Sequence, residues 1–526
     1  MSEKKPSLEV TEIPADTIGA EVSSLLNRGA RMLYASGVDK GVSGIRIDYY
    51  FTFDDEIPGR NLALRTFVNR KKPVIESVTP ITTQADWAER EMLEFLGVEI
   101  KNHPDPRHLW LPLNWEDMYT STRRQQDPRS ERINTGPTAH PPHDNIFTKQ
   151  LSVVPYGPYH PALIESNYLK MSVEDEIVRD ADLKLGFNHR GIVKLMERRD
   201  YYKDLFLAER ICGFCNVHHS LTFAQAVEEI GDIAVPKKAR YVRTLLGEME
   251  RMKSHILAIG LMGDLTGFRT MLMHAIRIRE DILDSLEIMS GQRISHGIIT
   301  LGGIRNDVTP VHTDVILSKL QNLKKSLPEY FDQCLANDVF TGRLHTIGVL
   351  TPDAARKSGA VGPIARGSGL NLDIRKNLPY AAYEDVDWDV VTENGGDCFA
   401  RMQVRMREVL MSLHICEQCC DVIRSSPSES VPLVHELPCG EGFSRTEAPR
   451  GELLYHVASN GTNTPDFVRL RVPSLPNVRI MLNLIKGSTI GDVPVIIGSI
   501  DPCFSCTDRV TTVSPRETVA PGSGGS

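Results

Sequence analysis

The chain has 526 residues, more than one typical domain, so two or more hydrophobic cores are predicted. Its apolar fraction of 41% and charged fraction of 24% are ordinary for a globular protein, and its net charge of −8 argues against a nucleic-acid surface. No apolar run reaches the roughly 18 to 20 residues of a membrane span, and the N-terminus lacks the apolar core of a signal peptide. We therefore expect a cytosolic protein, in which closely paired cysteines favour metal ligands or redox thiols over disulfides.

The first part of the sequence predicts a small α+β domain over residues 25–116, preceded by a loosely ordered segment, residues 1–24. The stretch "GIRIDYYFTF" (44–53) has the alternation of a half-buried strand, with one face formed by Ile45, Ile47, Tyr49, Phe51 and Phe53. The stretch "WAEREMLEFLGVEI" (87–100) has the apolar spacing of a short amphipathic helix. Residues 117–149 are rich in charge and proline and lack apolar periodicity, which predicts an interdomain linker or an extended wrapping segment.

Residues 150–509 predict a second, mainly α-helical domain with a helix-bundle core. Residues 236–260 carry apolar side chains three or four positions apart, at Val242, Leu245, Met249, Met252 and Ile256. Residues 269–291 and 398–423 have similar spacing. The last residues, 510–526, are low in complexity and predict an unfolded C-terminal extension.

Two cysteine pairs carry the strongest chemical signal. "ERICGFCNVHHS" (209–220) contains Cys212 and Cys215, and "DPCFSCTDR" (501–509) contains Cys503 and Cys506. The i, i+3 spacing lets one turn of backbone aim both sulfurs of a pair at one point, and a helix N-terminus or a nearby arginine favours the thiolate. Four thiolates suit zinc, nickel or iron. A structural zinc site and, for one pair alone, a thioredoxin-like redox motif remain alternatives at this stage.

The residues around the cysteines point to a family. "RICGFCNVHHS" and the C-terminal "DPCFSCTDR" resemble the two nickel-binding signatures of NiFe hydrogenase large subunits. Between them, "TEAPRGELLYH" (446–456), "VPSLPN" (472–477) and "DVPVIIGSIDPC" (492–503) also resemble hydrogenase segments, in the order of that family.

Other segments narrow this resemblance. "PYGPYHPALIE" (155–165), "FNHRGIVKL" (187–195) and "VGPIARGSGLNLDIR" (361–375) resemble the 49 kDa quinone-site subunit of respiratory complex I. "WAEREMLEFLGVEIKNHPDPRHLWLP" resembles the neighbouring 30 kDa-type subunit. A hydrogenase large subunit behind such a domain is the pattern of the group 4, energy-converting or formate hydrogenlyase type. Complex I subunits lack the four cysteines, and group 4 members carry arginine where Arg509 stands.

The resemblance implies a nickel–iron cofactor and a role for each cysteine. Cys212 and Cys503 are expected to be terminal nickel ligands, and Cys215 and Cys506 to bridge nickel to an iron that carries carbon monoxide and cyanide. Magnesium is a further cofactor compatible with the resemblance. This chain has no signature of an iron–sulfur cluster, so electrons are expected to leave through a partner.

The resemblance also implies five further site residues. Arg450 is expected over the open metal position, and Ser474 is expected to donate a hydrogen bond to cyanide; otherwise they are a salt-bridge arginine and a turn serine. Glu165 is the expected first proton relay, since burial can raise the pKa of a carboxyl group. Asp501 is expected to line the cavity, and His219 matches a family histidine or is an ordinary core residue.

Several other residues are interpreted more plainly. His255 and Asp264 resemble residues of the complex I quinone pocket and are expected to be structural here. Val193 stands where many relatives carry an acidic residue, so no proton path is expected through it. The cysteines of "CEQCC" lie in an apolar helical pattern and are expected to be buried thiols: Cys416, Cys419 and Cys420.

The sequence thus predicts the catalytic subunit of a NiFe hydrogenase that interconverts hydrogen with protons and electrons, with formate, carbon monoxide or ferredoxin as the electron source. The expected partners are a small subunit with a proximal iron–sulfur cluster, ferredoxin-like and membrane subunits, nickel-insertion proteins and an endopeptidase that cuts between Arg509 and Val510. The expected location is the inner face of the cell membrane, through partner subunits. A complex I-like quinone-site subunit and a zinc-stabilised assembly protein are the alternatives.

Overall fold

The structure is a computed structural model, and it describes residues 7–54, 56, 59–111, 151–160, 163, 165–428, 431, 434 and 436–508. The predicted linker, 117–149, and the predicted C-terminal extension, 510–526, lie outside the described residues, as does Arg509.

The N-terminal region combines a four-stranded sheet with two helices. Its elements are β1 Glu9–Glu12, α1 Ile18–Asn27, β2 Arg31–Asp39, β3 Ile45–Phe53, β4 Arg60–Val68, β5 Val74–Glu76, α2 Asp86–Leu96 and β6 Glu99–Lys101. The main sheet has the order β1-β4-β3-β2, in which only β1 and β4 are parallel, and β5 pairs with β6. Helix α2 is the helix predicted at 87–100, and the left-handed Gly97 ends it.

The prediction that residues 1–24 are loosely ordered is wrong for the described part of that segment. Strand β1 pairs with residues 62–65 of β4, and α1 buries Ile18, Val22 and Leu25. These three residues recur at i, i+4 and i+7, so one face of the helix enters the hydrophobic core.

Strand β3 is the strand predicted at 44–53, but both of its faces are buried. The face that alternation assigned to solvent packs against the C-terminal region. There, the ring of Tyr50 stacks on Phe443 with 5.8 Å between centroids, and its hydroxyl lies 2.8 Å from His456 Nδ1. The two regions of the chain therefore share one continuous interface.

The C-terminal region contains fourteen helices and eight strands among the described residues. The helices are α3 Ile192–Met196, α4 Tyr201–Glu209, α5 Asn216–Ile230, α6 Lys237–Leu265, α7 Arg269–Ser290, α8 Pro310–Leu335, α9 Asp338–Gly342, α10 Pro352–Ser358, α11 Pro363–Gly367, α12 Ile374–Asn377, α13 Cys398–Ser425, α14 Ser474–Ile485, α15 Val493–Ile500 and α16 Phe504–Thr507. The strands are β7 Ser152–Tyr156, β8 Tyr168–Glu174, β9 Ile177–Lys184, β10 Ile299–Thr300, β11 Gly303–Ile304, β12 Cys439–Ala448, β13 Gly451–Asn460 and β14 Pro465–Arg471.

The long helices α6, α7, α8 and α13 pack against one another. The apolar stripe predicted on α6 is fully buried, at Val242, Leu245, Met249, Met252 and Ile256. Two antiparallel three-stranded sheets, β7-β8-β9 and β12-β13-β14, accompany these helices. The region is therefore more mixed than the predicted mainly α-helical domain. Among the described residues, none of the helices is both long and apolar enough to cross a membrane.

Buried ion pairs hold the N-terminal region against β13. Arg31 of β2 lies 2.9 Å from Glu452, which also contacts Arg471 of β14 at 3.2 Å. Burial opposes ionisation of Glu452, but Arg31, Arg445 and Arg471 hold the pKa of that carboxyl group below its usual value. The turn between β12 and β13 reaches the candidate site. The interface between the N-terminal region and β13 therefore stabilises the strands that hold this turn.

Candidate metal centre

Four cysteines from two distant parts of the chain meet near the N-terminal ends of α5 and α16. Cys212 lies in the turn between α4 and α5, and Cys215 is the N-cap residue of α5. Cys503 is the N-cap residue of α16, and Cys506 lies in that helix. The Sγ atoms of Cys212 and Cys503 are 3.2 Å apart, and those of Cys503 and Cys506 are 3.1 Å apart. We call these four residues the cysteine centre.

The cysteine centre is built of free, buried thiols. The sulfur–sulfur distances exceed the roughly 2.05 Å of a disulfide bond. The Sγ atoms of Cys212, Cys503 and Cys506 all lie within 4.8 Å of one another, and Cys215 hydrogen-bonds with Cys212. In the part of the chain that the structure describes, no other cluster of three or more histidine, cysteine or acidic residues is close enough to hold a metal ion.

The pKa values of the four thiols in the cysteine centre are compatible with the binding of a cation. Burial opposes ionisation of Cys212, but hydrogen bonds from the other three thiols lower its pKa well below the usual value. The hydrogen bonds to Cys212, together with burial, raise the pKa of Cys215 and Cys503, and burial raises that of Cys506. Ionisation of one thiol therefore opposes ionisation of its neighbours. Soft divalent metals ionise such thiols and bind them, so the residues fit a nickel–iron group.

Arg450 contributes a fixed positive charge from the turn between β12 and β13. Its Nη2 and Nε donate to Asp501 Oδ1 and to the Asp501 carbonyl, both at 2.7 Å. Its Nη1 donates to Ser254 Oγ (3.1 Å) and lies 3.8 Å from Cys215 Sγ. The backbone behind it is close-packed, because a Cβ atom on Gly362 would lie 2.4 Å from the Arg450 carbonyl oxygen.

Asp501, at the end of α15, lies next to Arg450 at the cysteine centre. Its backbone is left-handed (φ 55°), which asparagine and aspartate tolerate better than most residues and which turns its carbonyl toward Arg450. Its Oδ2 atom is buried and has no hydrogen-bond partner. Burial raises the pKa of Asp501 despite the nearby Arg450 and Arg405. Such an orphaned oxygen, next to the thiols, indicates that the pocket accommodates a further polar group.

Ser474 and His219 both touch the cysteine centre. Ser474 Oγ accepts a hydrogen bond from the Cys503 backbone N–H at 3.0 Å, so the serine supports the cysteine loop directly. A hydroxyl group that accepts can still donate its own hydrogen. His219 is fully buried on α5, with Nδ1 2.8 Å from the Tyr455 hydroxyl and Nε2 3.7 Å from Cys506 Sγ.

Glu165 reaches the cysteine centre from the segment before β8. Its Oε1 lies 3.8 Å from Cys503 Sγ, and its Oε2 accepts from the Ser505 backbone N–H at 2.9 Å. The same carboxylate lines a mostly apolar cavity of about 80 Å³, which Asp264 and Asp501 also line. Glu165 thus lies between a thiol and a cavity.

Sequence reasoning overlooked two residues that hold the cysteine loops. Arg190 donates from Nη2 to the carbonyls of Ile211 (2.7 Å) and Ser505 (3.1 Å), and so links both cysteine motifs. Asp508 accepts from the Gly186 N–H (3.0 Å) and from the Asn188 N–H, and burial raises its pKa to about 6. Arg190 belongs to the motif "NHRG", and Asp508 belongs to the motif "TDR". The two motifs could have identified these residues, whereas the spacing of residues along the chain could not.

Other residues considered from the sequence have contacts outside the cysteine centre. The cysteines of α13 are buried in the helix, as expected, and burial raises their pKa values: Cys416, Cys419 and Cys420. His255 is buried and lies 2.8 Å from Glu408, and burial lowers its pKa to about 4.

Family comparisons cover most of the chain. Residues 12–130 match "Respiratory-chain NADH dehydrogenase, 30 Kd subunit", and residues 190–259 match "Nickel-dependent hydrogenase". Residues 265–435 and 428–509 match "Respiratory-chain NADH dehydrogenase, 49 Kd subunit". The two-region layout of the fold follows these matches, and the hydrogenase match contains the first cysteine pair.

Individual relatives come from two kinds of complex. Formate hydrogenlyase subunit 5 of Escherichia coli (strain K12) is 34% identical over 464 residues, 87% of this chain and 80% of the relative. Membrane-bound hydrogenase subunit alpha of Pyrococcus furiosus is 37% identical over 382 residues, 70% of this chain and 89% of the relative. The C/D subunit of the NADH-quinone oxidoreductase of Phocaeicola vulgatus is 30% identical over 522 residues, 95% of this chain and 100% of the relative.

These matches define an oxidoreductase subunit in which a 30 kDa-type domain is fused to a 49 kDa-type domain. The chain belongs to the family that unites the large subunits of group 4 hydrogenases with the C/D subunits of NADH-quinone oxidoreductases.

Proposed function

We propose that this chain is the catalytic subunit of a NiFe hydrogenase that interconverts dihydrogen with protons and electrons. The observation that carries the proposal is the cysteine centre itself: four buried free thiols with Arg450 3.8 Å from one of them. A nickel–iron group bound there supplies the redox chemistry of hydrogen cleavage. Cys212 and Cys503 would hold its nickel, and Cys215 and Cys506 would complete the set of four thiolates that hold the group.

Arg450 acts in this proposal as a preorganised charge. Its three nitrogens are held by Asp501 and Ser254, so the guanidinium does not need to reorganise during the reaction. We assign it the positioning of a polar ligand or of hydrogen at the open side of the site. We assign two roles to Ser474: it supports the backbone of Cys503, and it donates a hydrogen bond to a cyanide ligand.

Glu165 is proposed as the first proton acceptor from Cys503. The 3.8 Å between Cys503 Sγ and Glu165 Oε1 is closed by a small movement of either side chain, and the adjoining cavity connects the carboxylate with Asp264. His219 and Asp501 are proposed to hold Cys506 and Arg450, respectively. An infrared spectrum of anaerobically purified protein tests the whole assignment, because bands of iron-bound carbon monoxide and cyanide have no other source in the protein.

A second candidate function is that of a quinone-site subunit of a complex I-like enzyme. The match to an NADH-quinone oxidoreductase subunit over 95% of this chain favours it. Metal analysis of the chain, separated from its partner subunits, distinguishes the candidates. Nickel and iron together support the hydrogenase, zinc alone supports an assembly protein, and absence of metal supports the quinone-site subunit.

The proposed hydrogenase works within a larger assembly. Electrons reach the chain through a small subunit with a proximal iron–sulfur cluster, and ferredoxin-like and membrane subunits attach the complex to the cytoplasmic face of the membrane. Names of the relatives support this, since one is a membrane-bound hydrogenase subunit and another is a formate hydrogenlyase subunit. Formate, carbon monoxide and ferredoxin are the proposed donors, and hydrogen evolution assayed with each donor in native membranes distinguishes them.

Maturation is proposed to end with cleavage between Arg509 and Val510. Asp508 is buried and bonded to the loop at 186–188, so the chain just before the proposed cut is part of the closed site. A dedicated endopeptidase would act after nickel insertion. The intact mass of active protein from its native host tests this step, because a nickel-loaded, active chain that retains residues 510–526 would contradict it.

A further inference from the structure

A second line of polar side chains begins at the first residue of α5, directly after the first cysteine pair. The ammonium group of Lys253 lies 3.2 Å from Asn216 Oδ1 and 3.3 Å from His296 Nε2. On the other side of the ring, His296 Nδ1 lies 3.0 Å from the Gln292 carbonyl and 3.2 Å from Ser290 Oγ. None of the roles proposed above uses these residues.

This line of residues leads from the interior to the surface. Lys253 and His296 are 1% and 3% exposed, Ser290 is 9% exposed, and Gln292 is exposed. A buried ammonium group is costly unless it is paired, and an apolar side chain would fill this position of α6 without that cost. The lysine is therefore hard to explain as a packing residue alone.

The groups around Lys253 shift the pKa of its ammonium group in opposite directions. Glu250, which caps α5 through the Val217 N–H, lies 3.9 Å from Lys253 Nζ, and Arg279 Nε donates to the Lys253 carbonyl. Burial lowers the pKa of Lys253; Glu250 and the thiols of the cysteine centre oppose that shift, and Arg279 reinforces it. Burial and the positive charge of Lys253 lower the pKa of His296 to about 4, which leaves the ring neutral near pH 7.

Hydrogen-bond directions fix the tautomer of His296. The Gln292 carbonyl can only accept, so Nδ1 carries the hydrogen, and Nε2 accepts from the ammonium group of Lys253. We propose that Glu250, Lys253, His296 and Ser290 form a second proton route, separate from Glu165, that leads to the surface from the start of α5, next to the first cysteine pair. The inference rests on the proposed hydrogenase function, which must move protons.

The transfer balances at each step. Lys253 Nζ passes a proton to His296 Nε2 and takes one from the carboxyl group of Glu250, 3.9 Å away. His296 Nδ1 releases its proton to Ser290 Oγ, whose own hydroxyl proton leaves to water beside Gln292. One proton enters and one leaves, and no electron moves. The ring ends with its hydrogen on Nε2 and returns to its first tautomer by a ring flip.

Isotope exchange between D₂ and solvent protons tests this route in the Glu165→Gln variant, in which residue 165 cannot relay a proton. We expect Glu165→Gln to keep a measurable residual exchange rate, and His296→Gln, added to it, to lower that rate at least about tenfold further. Glutamine keeps the hydrogen bonds of His296 but does not shuttle a proton. His345→Gln, at a histidine that is 53% exposed, is the matched control and should leave the residual rate unchanged.

Nickel content and the infrared bands are measured in every variant. Absence of those bands from the parent protein overturns the proposed function and this route with it. Bands present throughout, with no residual exchange in Glu165→Gln or with equal rates in the single and double variants, overturn only the route.

A second readout does not depend on turnover. In the full chain labelled with ¹⁵N-histidine, the resonances lost in His296→Gln identify this ring. We expect its hydrogen on Nδ1, and we expect Lys253→Met to shift the Nε2 resonance because that atom loses its donor. A hydrogen found on Nε2 in the parent protein, or an Nε2 resonance unmoved by Lys253→Met, contradicts the geometry on which the route depends.

Discussion

The chain contains two groups of buried cysteines that look alike in sequence and differ in surroundings. Three thiols of the cysteine centre, from both motifs, lie within 4.8 Å of one another, and the fourth, Cys215, lies 3.8 Å from the guanidinium group of Arg450. The cysteines of α13, which are Cys416, Cys419 and Cys420, follow one helix, and burial raises their pKa values with only acidic or thiol groups contributing further. A positive charge and convergence from separate segments, and not spacing alone, distinguish the cysteine centre, the proposed metal site, from the packed thiols of α13.

The largest expected effect tests the first half of this comparison. Replacing Cys503 by serine exchanges a soft thiolate for a hard, weakly acidic hydroxyl group in contact with two other thiols. We expect Cys503→Ser to lose its nickel and all hydrogen-dependent dye reduction. Metal analysis of the purified complex measures the first effect, and a dye-reduction assay measures the second.

The matched control is Cys420→Ser, which makes the same chemical change within α13. A serine there can bond to a carbonyl of its own helix, so the fold should tolerate it. Nickel content and activity should equal those of the parent protein. Nickel loss in Cys420→Ser, or full nickel in Cys503→Ser, would show that the two groups of cysteines have been assigned wrongly.

The next effect concerns the positive charge that only the cysteine centre has. Arg450→Lys keeps the charge but cannot satisfy Asp501 twice and Ser254 once with the same planar fork. We expect turnover to fall on the order of 10²-fold, as for other preorganised electrostatic groups, with near-normal nickel content. Turnover close to that of the parent protein would remove Arg450 from the reaction.

A smaller effect concerns proton transfer next to Cys503. Glu165→Gln keeps the acceptor for the Ser505 N–H but cannot carry a proton away. We expect hydrogen–deuterium exchange with solvent to fall about tenfold or more, while the infrared bands of the metal ligands persist. Exchange at the rate of the parent protein would assign the first relay to another group.

Much of the site was predictable because its motifs are local. The CxxC spacing and the residues around it predicted the cysteine centre, and the apolar stripe of α6 predicted a buried helix. The polar residues of α6 were not predictable as site residues, because a polar face on an amphipathic helix normally indicates solvent. Here Lys253 and Ser254 are buried, since α6 is enclosed on nearly all sides.

The N-terminal region shows the same limit. Alternation in β3 correctly predicted a strand, but it could not predict that the second face packs on Phe443 and His456, which follow Tyr50 by 393 and 406 residues. Likewise, the pairing of β1 with β4 depends on a partner that lies about fifty residues away, which no local pattern near Glu9 contains. Long-range contacts, rather than weak local signals, explain these differences between the prediction and the structure.

The smallest expected effect tests the second half of the comparison, that the cysteines of α13 only pack. Cys419 is fully buried, and burial raises the pKa of its thiol well above the usual value, so it stays neutral and acts as a small apolar side chain. Cys419→Ala removes one sulfur atom from the core and leaves a small cavity. We expect the free energy of unfolding to fall by about 1 kcal/mol, a typical value for a deletion of this size. Denaturant unfolding of the purified chain measures that change, and nickel analysis of the native complex should give the content of the parent protein. A variant that is as stable as the parent but depleted in nickel would mean that α13 takes part in metal delivery, and the distinction between the two groups of cysteines would have to be abandoned.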